Sequence, residues 1–174
     1  MSGLPGTGKS TLAEDFRCLK LPVKTYSIDV IDPLLHSEGI EINRNDEMEM
    51  SNKLRKKYGN HILSELLDKK IGWHRSFVID GARKFEEIKY FQEKYGEECV
   101  YSIVLKSSYK TRMERMKKRG IKGEVEMNYK KLRGMDSREG RDISRISRNA
   151  DLIINTSRVT NDFYSNIARA LYEL

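Results

Sequence analysis

The sequence predicts an α/β fold in three layers, with helices on both faces of a mostly parallel sheet, and three observations carry that prediction. Short apolar runs at 23–28, 76–80, 99–105 and 151–156 alternate with stretches of helical periodicity, the pattern of successive βα units. The run Ser76-Phe-Val-Ile-Asp80 is almost continuously apolar, as a strand covered on both faces has to be. At the start stands Gly3-Leu-Pro-Gly-Thr-Gly-Lys-Ser10, a complete GxxxxGK(S/T) phosphate-binding loop, which needs a helix directly after it.

The loop comes first. Glycines 3, 6 and 8 let backbone N–H groups turn inward, forming an anion nest at the start of the helix Ser10-Thr-Leu-Ala-Glu-Asp-Phe16. The expected nucleotide-binding set is Gly3, Pro5, Gly6, Thr7, Gly8, Lys9, Ser10 and Thr11. Lys9 reaches the β/γ-phosphates and the Ser10 hydroxyl ligates Mg²⁺. Such a loop follows a buried parallel strand of about five or six residues, yet only Met1 and Ser2 precede Gly3. The expectation is a sheet whose first, central strand is missing from this chain, leaving its neighbours unpaired and a gap in the core.

The strand at 23–28 ends at Asp29, and a largely helical insertion is expected over 31–75. Asp46 can cap a helix from Glu47 to Tyr58, Gly59 stops it, and a second helix follows from His61 to Lys70. Further helices are predicted at Lys84–Tyr95, Tyr109–Arg119 and Asn161–Leu174, where apolar residues recur at three and four. Gly120 ends the helix at 109–119, and 124–148 reads as two short helices broken near Gly140. One domain is expected, its core drawn from 1–30, 76–106 and 150–174, with a lid region at about 119–148.

Composition narrows the class. A chain of 174 residues suits one globular domain with a sizeable core. No apolar run approaches the roughly 18 residues that span a bilayer, and no signal peptide is visible. Cys18 and Cys99 have neither metal nor disulfide spacing, so a reducing cytoplasm is the expected setting. His36, His61 and His74 lack ligand spacing, which argues against structural zinc. The basic charge is local: 106–148 holds 15 Lys+Arg against 6 Asp+Glu, whereas the remainder holds 18 against 20. Arginines closing over polyphosphate are the favoured reading of that stretch, ahead of a solvated helical face and an RNA-binding surface.

Two aspartates end strands. Asp80, followed by Gly81-Ala-Arg83, stands at the carboxyl end of a buried strand, where ligands bind in open α/β sheets. There it can hold the Mg²⁺ of Ser10, directly or through water. Asp29 occupies the equivalent end of the preceding strand, and its residue type suits either a substrate contact or a helix cap.

Phosphate loop, Asp-Gly-x-Arg and arginine-rich helix together resemble the adenylate-kinase-like nucleotide kinases. The likeness is nearest to the archaeal adenylate-kinase-related proteins that also resemble dephospho-coenzyme A kinase. It rests on Leu54-Arg-Lys-Lys-Tyr-Gly59, on Asp80-Gly-Ala-Arg-Lys-Phe-Glu-Glu-Ile88 and on Ala150-Asp-Leu-Ile-Ile-Asn155. The resemblance implies an acceptor-phosphate role for Arg83, although its spacing is one residue short, and an acceptor-side role for Arg55. It implies that Arg115 stacks on the donor adenine, that Arg119 touches phosphate, and that Arg133, Arg138 and Arg141 are lid residues. The catalytic set is then Lys9, Arg119 and Arg138, with Asp29, Arg55 and Arg83 binding the acceptor and Ser10 and Asp80 the metal. The short lid carries no cysteine cluster, and no Asn-Lys-x-Asp guanine motif is present.

The expected activity is ATP- and Mg²⁺-dependent phosphoryl transfer to a small phosphorylated acceptor, with a nucleoside monophosphate favoured. Dephospho-coenzyme A is the alternative acceptor. An ATP-hydrolysing switch acting on RNA or a protein partner is the competing class. Nucleotides are the expected partners, nucleic acid is less favoured, and no membrane is expected.

Overall fold

The structure, a computed structural model, describes residues 1–19, 23–28, 44–72, 76–119, 128–159 and 162–173. Among the described residues the strands are β1 (Lys24–Ser27), β2 (Phe77–Asp80), β3 (Ile103–Lys106) and β4 (Leu152–Asn155). β1 pairs in parallel with β2, Tyr26 opposite Ile79, and β3 pairs in parallel with β4, Leu105 opposite Ile154. The two pairs do not merge into one continuous sheet. Among the described residues Ser2 bridges both, lying parallel to Ala82 on one side and to Val104 on the other. Its N–H donates to Ile103 O at 2.8 Å, and its carbonyl accepts from Leu105 N–H at 2.9 Å. Ser2 therefore lies in the strand position between β2 and β3.

Helices cover both faces. α1 (Lys9–Cys18) and α7 (Phe163–Tyr172), the first and last of the series, pack Leu12, Phe16, Tyr164 and Ala168 against Leu105 and Ile154. α6 (Tyr129–Arg148) lies over the other face, setting Ile143 and Ile146 against Val104. α3 (Ile62–Ile71) and α4 (Phe85–Tyr95) enclose Ile28 with Leu63, Leu67, Ile71 and Phe91. Each buried Leu, Ile, Val or Phe among them contributes about 1.5–3 kcal/mol relative to exposure. α2 (Arg44–Tyr58) precedes α3, and α5 (Tyr109–Arg119) precedes α6. Among the described residues no helix is long and apolar enough to cross a membrane.

Three elements differ from expectation, the first being β3, which begins at Ile103 and not at Cys99, the last residue of a 3-10 turn. α2 starts at Arg44, three residues ahead of the predicted Glu47. α6 is one helix of 20 residues, not two broken at Gly140. A mid-helix glycine costs about 1 kcal/mol relative to alanine. Here that cost is outweighed by burial of Leu132, Ile143 and Ile146 along one stripe and by the Asn128 cap, which accepts Lys131 N–H at 3.0 Å. Gly120 lies outside the described residues.

Candidate nucleotide site

The loop is fixed from behind as well as by its own dihedrals. Gly6 (φ +80) brings its backbone so near α5 that a Cβ would lie 2.8 Å from Arg112 O. At Gly8 (φ +96) a Cβ would lie 2.1 Å from the Tyr164 hydroxyl of α7. Because α1 begins at Lys9, its first N–H groups have no intrahelical acceptor. Gly8 offers no side-chain cap. Pro5 and Thr7 are buried within the turn, Thr7 donating to Leu4 O at 2.9 Å, while Ser10 and Thr11 are exposed.

Lys9 folds back on the loop, donating to Gly3 O at 2.8 Å and Leu4 O at 3.3 Å. Desolvation pushes its ammonium down to about 8, opposed by the charges of Asp80 and Glu139 and reinforced by Arg83 and Arg119. Those four groups therefore stand near enough to Lys9 to share its field. The Ser10 hydroxyl donates to Asp80 Oδ2 at 3.3 Å. Asp80 Oδ1 is buried and, among the described residues, has no hydrogen-bond partner. A hydroxyl beside a carboxylate with an orphaned oxygen is a hard-oxygen donor set, and it fits Mg²⁺.

Glu87 gathers Arg55 and the turn at Arg83 and Lys84. Its fully buried carboxylate accepts from Arg55 Nη2 at 2.7 Å, from Arg83 N–H at 2.7 Å and from Lys84 N–H at 3.0 Å. Glu87 thereby ties α2 to the turn that follows Asp80. Ser64 of α3 donates to its carbonyl at 2.9 Å. Asp29 lies outside the described residues.

The basic segment divides between support and surface. Arg115 donates to Thr156 O at 2.6 Å, to Thr156 Oγ1 at 3.2 Å and to Gly6 O at 3.5 Å, joining α5 to the back of the loop. Arg112, almost wholly buried, grips Asp136 through both guanidinium nitrogens and so fixes α5 to α6. Arg145 pairs with Glu86 at 2.6 Å and Asp142 with Lys84 at 2.5 Å, fastening α6 to α4. Arg133, Arg138 and Arg141 are exposed on α6, with Arg138 Nε donating to Gly134 O at 3.2 Å.

Sequence reasoning did not find Glu87, Arg112 or Glu139. A Glu three residues after a helix cap is half of a capping box, but Lys84 stands where that pattern has Ser or Thr, so the signal is masked. A buried Arg paired across two helices leaves no sequence signal.

Loop, strand-terminal aspartate and parallel αβ layering define a P-loop NTPase of kinase-like fold. Residues 1–138 match the AAA domain family, and the chain belongs to it. A UPF0200 protein of Hyperthermus butylicus is 29% identical over 126 residues, covering 71% of this chain and 66% of that protein. A UPF0200 protein of Methanocaldococcus jannaschii is 27% identical over 184 residues, covering all of this chain and 88% of its own length. The match thus spans about two thirds of the Hyperthermus protein's length. Among solved structures, TT1252 from Thermus thermophilus superposes with a TM-score of 0.59 at 13% identity, covering 99% of this chain and 95% of its own. Shikimate kinase from Acinetobacter baumannii, in complex with shikimate, gives 0.55 at 12% identity, covering 99% and 89%. At such identities the likeness is one of fold.

Proposed function

We propose that the protein is an ATP- and Mg²⁺-dependent phosphotransferase acting on a small phosphorylated acceptor, with nucleoside monophosphates the favoured class, as in the adenylate-kinase-related proteins. The observation that carries this reading is the complete phosphate loop with Lys9 folded on its carbonyls and the Ser10 hydroxyl bonded to Asp80 at 3.3 Å. Phosphoryl transfer asks a protein for alignment and charge compensation, and this cluster is built from those parts.

The loop's inward N–H groups and Lys9 bind the donor's phosphates. Lys9 exchanges the carbonyls of Gly3 and Leu4 for phosphate oxygens, which also relieves the desolvation of its charge. Ser10 and Asp80 hold Mg²⁺, which when bound neutralises the β and γ oxygens. On the acceptor side a phosphate requires fixed cations, and guanidinium forks match it in geometry where ammonium groups do not. Arg55, its guanidinium held by Glu87, and Arg83, whose backbone N–H the same carboxylate accepts, supply them. Arg119 offsets charge on the transferring group, with Arg138 its partner from α6 and Arg115 on the adenine side.

The test is ADP formation from Mg·ATP, alone and with AMP, CMP, GMP, UMP, dephospho-coenzyme A or shikimate. Acceptor-dependent turnover giving a phosphorylated product in equal amount to ADP is the expected result. Slow hydrolysis indifferent to every acceptor and stimulated by RNA in a salt-sensitive manner overturns it in favour of a switch.

A further inference from the structure

Behind the phosphate loop, between α5, α6 and the end of β3, the structure holds a cavity of about 660 Å³. That volume falls within the roughly 300–1,000 Å³ of small-molecule sites. Leu4 and Thr7 of the loop border it, whereas Lys9, Ser10 and Asp80 do not. It is therefore separate from the donor site. From α6 come Gly140, Ile143, Ser144, Ser147 and Arg148, the three- and four-residue spacing of one helical face.

Two hydroxyls of this wall are orphaned. Ser107 Oγ and Ser147 Oγ are buried and, among the described residues, have no hydrogen-bond partner. A helical serine can return its hydroxyl to the carbonyl one turn earlier, but Ser147 does not. Buried hydroxyls left unbonded are destabilising, so the free protein carries a cost here that a ligand would remove. Gly140 stands mid-helix, where glycine is less favourable than alanine. A Cβ there would meet no atom within 4 Å beyond the helix's own backbone. Packing does not require the glycine, and its missing side chain leaves the cavity open. The floor is apolar, formed by Leu105, Ile143 and an Ile153 that is 46% exposed.

Charge selects the ligand. Each orphaned hydroxyl is next in sequence to a cation at the rim, Ser107 to Lys106 and Ser147 to Arg148. Both cations are exposed, and among the described residues neither side chain makes an ion pair. The remaining charges of the wall, Arg112 and Asp136, neutralise each other. We propose that this cavity binds a small amphipathic carboxylic acid as its anion. The apolar body lies on Leu105, Ile143 and Ile153. The two carboxylate oxygens accept from Ser107 and Ser147, and Lys106 and Arg148 balance the charge.

The test uses naphthalene-2-carboxylate and its uncharged counterpart 2-naphthamide, titrated into the full chain by calorimetry while the Ile143 and Ile153 methyl resonances are followed by NMR. Neither readout needs nucleotide or turnover, so failure of the phosphotransfer reading would leave it intact. One carboxylate per chain is expected, bound about three- to tenfold more tightly than the amide, the scale of two rim charges. Both methyls should shift along the same saturation curve. The double variant Lys106→Met, Arg148→Met should erase that preference and keep amide binding. Ser147→Ala should weaken the carboxylate about two- to tenfold while Tm holds or rises, because an unbonded buried hydroxyl is removed. Gly140→Leu should fill the cavity, abolish binding of both probes and raise Tm. The proposal fails if the carboxylate does not saturate the chain by about 1 mM, if both probes bind alike, or if the two methyls do not respond. It also fails if folded Gly140→Leu binds as before. Should Gly140→Leu not fold, Ser147→Ala decides: unchanged affinity with a lowered Tm marks the hydroxyl as structural and overturns the site.

Discussion

Replacing Glu87 with alanine tests the polar centre that ties α2 to the turn after Asp80. The wild-type carboxylate is fully buried, pairs with an Arg55 side chain only 9% exposed, and accepts two backbone N–H bonds. Truncation strands one buried guanidinium and two part-buried N–H donors at once. Breaking a buried ion pair from one side costs about 3–5 kcal/mol, and the Arg55 Nε already lacks a partner among the described residues, so little relaxation is available. For a domain of this size 1 kcal/mol moves Tm by about 2–4 °C, which places the expected loss at about 6–20 °C. Urea unfolding of Glu87→Ala, Arg55→Ala and the double variant gives the cycle. The double variant should cost less than the sum of the singles, because the second truncation removes a charge the first left stranded. A Glu87→Ala loss below about 1 kcal/mol, or singles that simply add, would refute the claim that Glu87 ties these elements together.

Other expectations follow from the same geometry. Lys9→Ala should abolish turnover while leaving the far-ultraviolet spectrum and Tm near wild type, and retained turnover removes the donor-site assignment. Arg119→Ala should lower kcat by about 10³-fold, the scale of charge-compensating arginines, and an unchanged kcat removes it from the mechanism.

What the sequence determined on its own is whatever local chemistry and period dictate. The phosphate loop, four strands within a few residues of their bounds, the Tyr109–Arg119 helix and the placing of Asp80 beside Ser10 were all legible. Each is written in contiguous residues: glycine spacing, apolar runs, a polar residue at a strand end. Tertiary structure alone decided the rest. α6 runs unbroken through Gly140 because burial of Ile143 and Ile146 against Val104 outweighs a local preference. The arginines of 106–148 look equivalent in sequence, yet Arg112 is sealed against Asp136, Arg115 braces the loop through Thr156, Arg145 pairs with Glu86, and Arg138 stays on the surface. Glu87 gathers Arg55 from 32 residues away. Pairings across such separations depend on how helices cross over a sheet, and no local pattern of residue types encodes that.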